Sequence, residues 1–302
     1  ANFVGILSFG VMANLLRPKG LPLFPNFRLF RSIFKFGSVA AVGNAINTIG
    51  TNGPDVIVGK IIDLAAVGYL SRANGLVQLF SRLLSDAILP LILPYFSHIR
   101  REGGDFKEAY VNAISLFTSL AWPFFAGTSL LAAPMVRTLY GSQWDASIPL
   151  VELLGLAGII GSFTLFAGQV MTANGRIKDA TYSQIWTQPL RILLVLYAAH
   201  HGLFYIGIAI IIAELFSLII VSIFLKRTVQ IGLIEAIIRC WKSVIITLIS
   251  CLAPLGVNVC WGENTFSTWL PLVLGICGAI MGWIIGVWVT NHPIGLEMVS
   301  MI

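Results

Sequence analysis

Residues 203–225, LFYIGIAIIIAELFSLIIVSIFL, carry one charged side chain in 23 positions. A helix that apolar on every face is buried in a large core or crosses a bilayer. The rest of the chain decides between the two. Stretches long and apolar enough to span, about 20 residues each, also occur at 1–16, 36–60, 66–97, 110–134, 148–173, 181–199, 241–260 and 266–290. Charged residues make up 11% of the 302 and mean hydropathy is +0.88; a soluble domain carries about 25% charge. The expectation is an all-α polytopic membrane protein with about nine transmembrane helices. Segments 36–60 and 66–97 are weak on hydropathy and rest on their flanking loops and helical periodicity.

Lysine and arginine alternate between the connections. Loops 17–35, 98–109, 174–180 and 226–242 hold five, three, two and four, while the intervening loops hold only Lys60 and Arg137. The bias assigns the basic loops to the cytoplasm, so the chain enters from outside and its C-terminus is cytoplasmic. The net charge of +6 is then a property of one membrane face, and nucleic acid is not an expected partner. The first residues are already apolar and no cleavable leader is evident, which suggests a fragment of a longer protein.

Polar residues inside apolar segments are the candidate site. On a helix over 70–98, Ser71, Gly75, Gln78, Arg82, Ser85 and Asp86 fall on one arc. Intramembrane charge of this kind faces protein or a water-filled cavity. The arc either lines a polar cavity or glues helices, with Arg82 and Asp86 neutralising each other at i, i+4. Segment 36–60 carries Gly37, Asn44, Thr48, Thr51 and Asp55 at helical spacing, and Gly53-Pro54 is expected to interrupt it. Broken polar helices bind substrate in many transporters, although Asn and Thr also bond neighbouring helices. Segment 148–173 has Glu152 and Gln169, preceded by Tyr140, Trp144 and Asp145, an interface-anchor composition. Gln184, Gln188 and Arg191 recur at i, i+4, i+7 with Pro189 between them, and Glu214 is the single acid of the next segment. Arg191 and Glu214 lie at similar depth on antiparallel neighbours, so they either pair or Arg191 turns to the cavity. Phe27, Phe30 and Phe34 beside Arg28, Arg31 and Lys35 read as an interfacial helix contacting membrane lipids. Residues 241–260 and 266–290, beyond the amphipathic stretch IGLIEAIIRCWK, read as peripheral lipid-facing helices.

Chemistry of other kinds finds no support. Cys240, Cys251, Cys260 and Cys277 have no CxxC spacing, and His200-His201 has no further ligand nearby. No metal or cofactor is expected. A GxxxxGK[ST] loop is absent, as is any Ser-His-Asp arrangement, so an enzyme is not expected.

Three stretches carry a family resemblance: Asp55 at a helix end, then Gly68 with Ser71-Arg72-Ala73; Pro90 with Pro94-Tyr95-Phe96-Ser97; and Tyr140-Gly141 with Trp144, followed by TANGRIKDA. Over about residues 17–226 the chain resembles the Wzx-type polysaccharide flippases, the oligosaccharide branch of the MOP exporter superfamily, related in fold to MATE transporters. The resemblance implies two six-helix lobes around a central cavity, often followed by two more helices. Residues 1–16 would be helix six, 17–35 the inter-lobe connector, 36–226 the C-terminal lobe, and 227–302 a cytoplasmic linker with helices thirteen and fourteen. It also implies cationic cavity residues, here Arg72, Arg82 and Arg191, holding the anionic head of a lipid-linked sugar. Asn44, Thr48, Gln78, Gln184 and Gln188 would bond the sugars, with Asp55 and Asp86 nearby. The implied function is flipping of an undecaprenyl-diphosphate oligosaccharide across the bacterial inner membrane, for lipopolysaccharide O-antigen or exopolysaccharide assembly, beside polysaccharide polymerase machinery. A drug or cation exporter of the same fold, or a non-transporting scaffold, are the alternatives.

Overall fold

A computed structural model describes residues 30–80, 86–261 and 269–295, with Met12 and Arg82 in addition. Segment 1–16 and most of the 17–35 connector therefore lie outside the described residues. Contacts set residues 1–39 apart from a unit that begins at Ala40, and the packing below concerns the latter.

Every regular element among the described residues is helical. The helices are α1 (Phe30–Ile61), α2 (Leu64–Phe80), α3 (Asp86–Glu102), α4 (Phe106–Leu130), α5 (Ala132–Tyr140), α6 (Ile148–Gly161), α7 (Ala167–Ala173), α8 (Ile177–Ala199), α9 (Leu203–Val229), α10 (Leu233–Arg239), α11 (Trp241–Trp261) and α12 (Trp269–Val289). A 3-10 turn over Ser142–Ser147 leads into α6. Among the described residues five stretches are long and apolar enough to cross a membrane: α4, Ser142–Gly161, α9, Trp241–Cys260 and α12. Helices α1 and α8 are long enough but fall short on hydropathy because they carry the polar stripes.

Two expectations change. Over 66–97 the described helices are α2, to Phe80, and α3, from Asp86, with Arg82 in π-type conformation between them; the rest of 81–85 lies outside the described residues. Residues 148–173 divide, into α6 and α7. The break is tolerated because protein covers its freed backbone groups. Trp122 Nε1 donates to Ile159 O at 3.2 Å and to Ser162 Oγ at 2.9 Å, and Thr164 Oγ1 donates to Gly161 O. Conversely, α1 passes through Gly53-Pro54 without ending. A glycine before the proline lacks the Cβ that would clash with its ring.

Small residues set the closest helix contacts. On α12, a Cβ at Gly278 would meet Ala253 Cβ, one at Gly282 would lie 2.8 Å from Ile249 O, and one at Gly286 would lie 3.0 Å from Ile246 Cα. The reversed order makes α11 and α12 an antiparallel pair joined along a small-xxx-small stripe. The pair is more than a lipid-facing appendage. Thr118 Oγ1 donates to Ser243 Oγ, Ser243 Oγ to Ser115 O, Asn258 Nδ2 to Leu130 O and Trp283 Nε1 to Ser119 O. These bonds attach both helices to α4.

Helix carbonyl ends gather on the basic face. The last carbonyls of a helix have no intrahelical partner, and cations suit the negative end of the dipole. Arg100 Nη1 donates to Ala173 O at the end of α7, and Arg176 Nη1 to Arg227 O in the last turn of α9. Lys242 Nζ donates to Asn291 O beyond α12. The TANGR motif is part of this arrangement. Asn174 Nδ2 donates to Thr228 O, and Gly175 adopts φ +76° where a Cβ would lie 2.7 Å from Arg100 Nη1.

His292 closes the C-terminal end. It is buried, and it accepts from Ile294 N at Nδ1, so Nε2–H faces Ser115 Oγ at 3.1 Å. Burial, with nearby Lys242, lowers its pKa from 6.5 to about 4. The undocked segment therefore takes up the proton first. Docking should be strongest above pH 6.5 and weaken as pH falls toward 4; the protection of amides at Thr290–Ile294, relative to their intrinsic exchange rate at each pH, should fall across that window. Separately, Gly282→Val should lower thermal stability in detergent by about 1–3 kcal/mol through overpacking. Gly256→Val, whose Cβ meets nothing within 4 Å, should lower it far less.

Candidate functional site

The predicted polar residues separate into a seam inside the unit, a knot at one end, and an exposed face. The seam forms where α1, α8 and α9 meet. A Cβ at Gly43 would lie 3.2 Å from Thr181 Oγ1, one at Gly50 would overlap Gln188, and one at Gly53 would touch Ile192. The order is the same along both helices, so α1 and α8 run parallel. The absent glycine side chains let them approach, and the gap is filled by amides. Gln188 Nε2 donates to Asn47 Oδ1 at 3.0 Å and to Gln184 Oε1 at 2.9 Å. One turn further along α8, Arg191 Nη1 meets Glu214 Oε1 of α9 at 3.0 Å, with both side chains mostly buried. Gly161 at the end of α6 backs the carboxylate, since a Cβ there would lie 3.2 Å from Oε2.

This seam uses Gln184, Gln188 and Arg191 between helices. Two of its buried atoms have no hydrogen-bond partner among the described residues: Gln188 Oε1 and Arg191 Nε. An unmet buried donor or acceptor costs about 1–3 kcal/mol. An unpaired charge at bilayer depth costs about 2.5–3.5 kcal/mol on insertion scales, so the Arg191–Glu214 pair removes a larger penalty than it leaves. Sequence reasoning missed Asn47. The signal was present as Gly43, Asn47 and Gly50 at i, i+4, i+7, a stripe on a different face of α1 from Asn44 and Thr48.

The knot joins the quoted motifs. The Arg72 guanidinium stacks 5.2 Å from the centre of the Tyr140 ring and 5.0 Å from that of Trp144. Gly68 gives the Trp144 ring room, Tyr69 meets it edge-on, and Ser147 Oγ donates to Tyr69 O. Arg137 pairs with both Asp145 oxygens and steadies the turn. Arg72 thus lies over two aromatic rings, exposed, and donates no hydrogen bond among the described residues. The arrangement holds a planar cation with its donors available for an anion.

The third group is open. Asn44, Thr48, Gln78 and Arg82 are exposed and Asp55 is half-buried. Thr48 Oγ1 donates to Asn44 O within α1. The arc from Ser71 to Asp86 runs past Phe80, where α2 as described stops; Ser85 and the Asp86 side chain lie outside the described residues. One cleft, lined by Tyr110, Phe163, Thr164, Ser222 and Leu225 among others, is apolar despite its hydroxyls. Tyr110, Thr164 and Ser222 each bond a backbone carbonyl. No group of three or more metal-ligating side chains occurs among the described residues.

Comparison with known proteins agrees with this architecture. Residues 6–149 match a family described as polysaccharide biosynthesis protein. The teichuronic acid biosynthesis protein TuaB of Bacillus subtilis is 24% identical over 59% of this chain and 36% of its own length. The succinoglycan biosynthesis transport protein ExoT of Rhizobium meliloti is 26% identical over 45% of this chain and 27% of its own. The lipopolysaccharide biosynthesis protein WzxC of Escherichia coli is 20% identical over 47% and 29%. The chain thus spans about a third of the length of these curated relatives. Among solved structures, the lipid II flippase MurJ in an inward closed conformation superposes with a TM-score of 0.65 at 16% identity, covering 93% of this chain and 59% of that one. The likeness first read from Arg72, Tyr140 and their neighbours thus extends to curated proteins: the chain is similar to polysaccharide biosynthesis and transport proteins and shares its fold with that solved structure.

Proposed function

We propose that the intact protein flips a lipid-linked oligosaccharide across the bacterial inner membrane, with an undecaprenyl diphosphate as the carrier, for surface polysaccharide assembly. The observation that carries this reading is a lipid-flippase fold over nearly the whole chain, with polar α1 and the arginine-bearing α2 and α8 among more apolar helices. A diphosphate suits guanidinium groups, which offer paired, charge-assisted donors. Arg72 and Arg82 are the exposed cations on this reading, and Asn44, Thr48 and Gln78 present hydrogen-bonding groups beside them. Arg191 acts through the seam instead, because Glu214 already neutralises it. Asp55, Gln184, Gln188 and Asp86 complete the proposed polar lining and its support. Transport is by alternating access between two lobes, with no covalent step. The basic face lies in the cytoplasm and polysaccharide polymerase machinery takes the product outside.

The full-length protein in liposomes with a labelled undecaprenyl-diphosphate oligosaccharide tests the reading. Arg72→Ala should slow flipping by about tenfold or more, the equivalent of about 1.4 kcal/mol, with Arg72→Lys recovering only part. Flipping of a cationic dye but not of the lipid would favour a drug exporter, and flipping of neither would leave a scaffold. Arg191→Glu and Glu214→Arg should each reduce flipping, and the double variant should recover it; failure to recover would place Arg191 on the substrate.

Topology is checked in cells, in a background lacking Cys260 and Cys277. A cysteine replacing the exposed Ser142 should react with an impermeant reagent from outside, and one replacing the exposed Glu102 should react only after the membrane is opened.

A further inference from the structure

Helix α10 is only seven residues long, yet three distinct faces surround it. Ala236 and, just beyond the helix, Cys240 are buried in the same apolar cluster as Tyr110 and Val111 of α4. Glu235 and Arg239, one turn apart on a second face, reach the first turn of α4. Lys107 Nζ lies 2.6 Å from Glu235 Oε1, and Arg239 Nη2 lies 3.4 Å from Glu108 Oε1. On the third face Ile234 and Ile238, one turn apart, are 75% and 62% exposed, with Ile237 beside them, and Trp241 at the start of α11 is 53% exposed.

Half-exposed ion pairs contribute little to stability, about 0–1 kcal/mol. Their order is what matters here. The α10 face reads minus then plus, and the adjacent residues of α4 read plus then minus. A slip of one turn would set Arg239 against Lys107, so the two pairs fix both the roll and the register of α10. The hydrogen bond from Lys107 holds the Glu235 carboxyl below its ordinary value, as the close contact between the two charges requires. The fixed roll leaves the isoleucines and Trp241 pointing away from the protein.

What covers that stripe follows from continuity. The helix before it, α9, exposes Ile219 and Ile223, and the helix after it, α11, exposes Val244 and Leu248; both are long and apolar enough to cross a membrane. Helix α10 joins the two at the basic face, between Lys226 and Arg227 on one side and Lys242 on the other. An outward apolar stripe ending in tryptophan and flanked by cations is the composition of a helix lying in the bilayer interface.

We infer that α10 is a membrane-seated clamp: its Ile234–Ile238–Trp241 stripe lies in the acyl boundary of the leaflet on the basic face, and its two crossed ion pairs hold the start of α4 at that depth. The partner is the lipid of that leaflet. The clamp fixes the start of α4 relative to the membrane, and through α4 the attached α11–α12 pair. It goes beyond the flipping function and does not depend on it.

Spin labels on Ile234→Cys and Ile238→Cys, in the intact protein lacking other reactive cysteines, test it in phosphatidylcholine–phosphatidylglycerol vesicles. Collision with oxygen, enriched in lipid, should exceed collision with a water-soluble nickel chelate, and the oxygen-to-nickel ratio should be several-fold higher than at a label on Glu102→Cys. Reversing both partners on α4, Lys107→Glu with Glu108→Lys, should lower the ratio at both α10 positions toward the Glu102 value. Adding Glu235→Lys and Arg239→Glu should restore it. If the reversed protein does not fold, Lys107→Ala with Glu108→Ala should lower the ratio in part. Labels at 234 and 238 as wet as the one at 102 would overturn the membrane seat. Labels reached by neither reagent would mean that protein, a partner or a second copy, covers the stripe. A ratio unmoved by the α4 substitutions would overturn the clamp.

Discussion

A helix that ends at a membrane boundary leaves carbonyl groups with nothing within the helix to bond. In this protein the cations of one face answer that need across helices rather than along them. Arg100 from α3 reaches the end of α7, Arg176 from the start of α8 reaches the end of α9, and Lys242 from the start of α11 reaches the backbone beyond α12. Each bond ties one helix to the terminus of another. The lysine and arginine bias that assigns orientation is therefore also structural: several of those charges close helix ends. The same demand explains the glycine of TANGR. Its left-handed conformation turns the chain after α7, and its missing side chain is where Arg100 lies.

The interior obeys a related rule. Helices α1 and α8 are too polar to face lipid along their length, so their polar groups must meet one another, a cavity or another lobe. Glycines at 43 and 50 bring the two backbones close, and Asn47, Gln184 and Gln188 bond across the contact. The Arg191–Glu214 pair extends the polar line to α9. Removing one member of such a buried pair leaves an uncompensated charge, whereas the whole seam is neutral. The two unmet atoms, Gln188 Oε1 and Arg191 Nε, mark where its hydrogen bonding is least complete.

Hydropathy and turn residues made much of the helix order legible. Helices α8, α9, α11 and α12 begin and end within a few residues of the expected limits, because loops such as HHGL punctuate long apolar runs. The depth of Arg191 and Glu214 was legible too, by counting rise along two antiparallel helices. The α6–α7 break was not. It lies inside an apolar run and is stabilised by Trp122, nearly forty residues earlier, which no local pattern reveals. Arg72 was legible as an unusual charge but not as a stacked one, because Tyr140 and Trp144 lie about seventy residues away. Asn47 was hidden by attention to the longer Asn44–Thr48 stripe, although its flanking glycines pointed to a close helix contact.

These ties lie at different levels of the unit. The Arg72 knot joins α2 to the turn before α6, the amide seam and the ion pair join α1, α8 and α9 in the middle, and the cation-to-carbonyl bonds join α3, α7, α8, α9, α11 and the end of α12 at the basic face. A slide of α8 along α1 would break at least the middle ties. It would bring a side chain against Gly50, part Gln188 from Asn47, and draw Arg191 away from Glu214, exposing a charge at bilayer depth. Packed elements of this kind shift between discrete arrangements and do not deform continuously. For the proposed flipping cycle, the inexpensive motion is therefore one that leaves the seam intact and moves this unit as a body against another part of the protein. The exposed residues Asn44, Thr48, Gln78 and Arg82, outside all three ties, are then the ones free to exchange partners as the cycle proceeds.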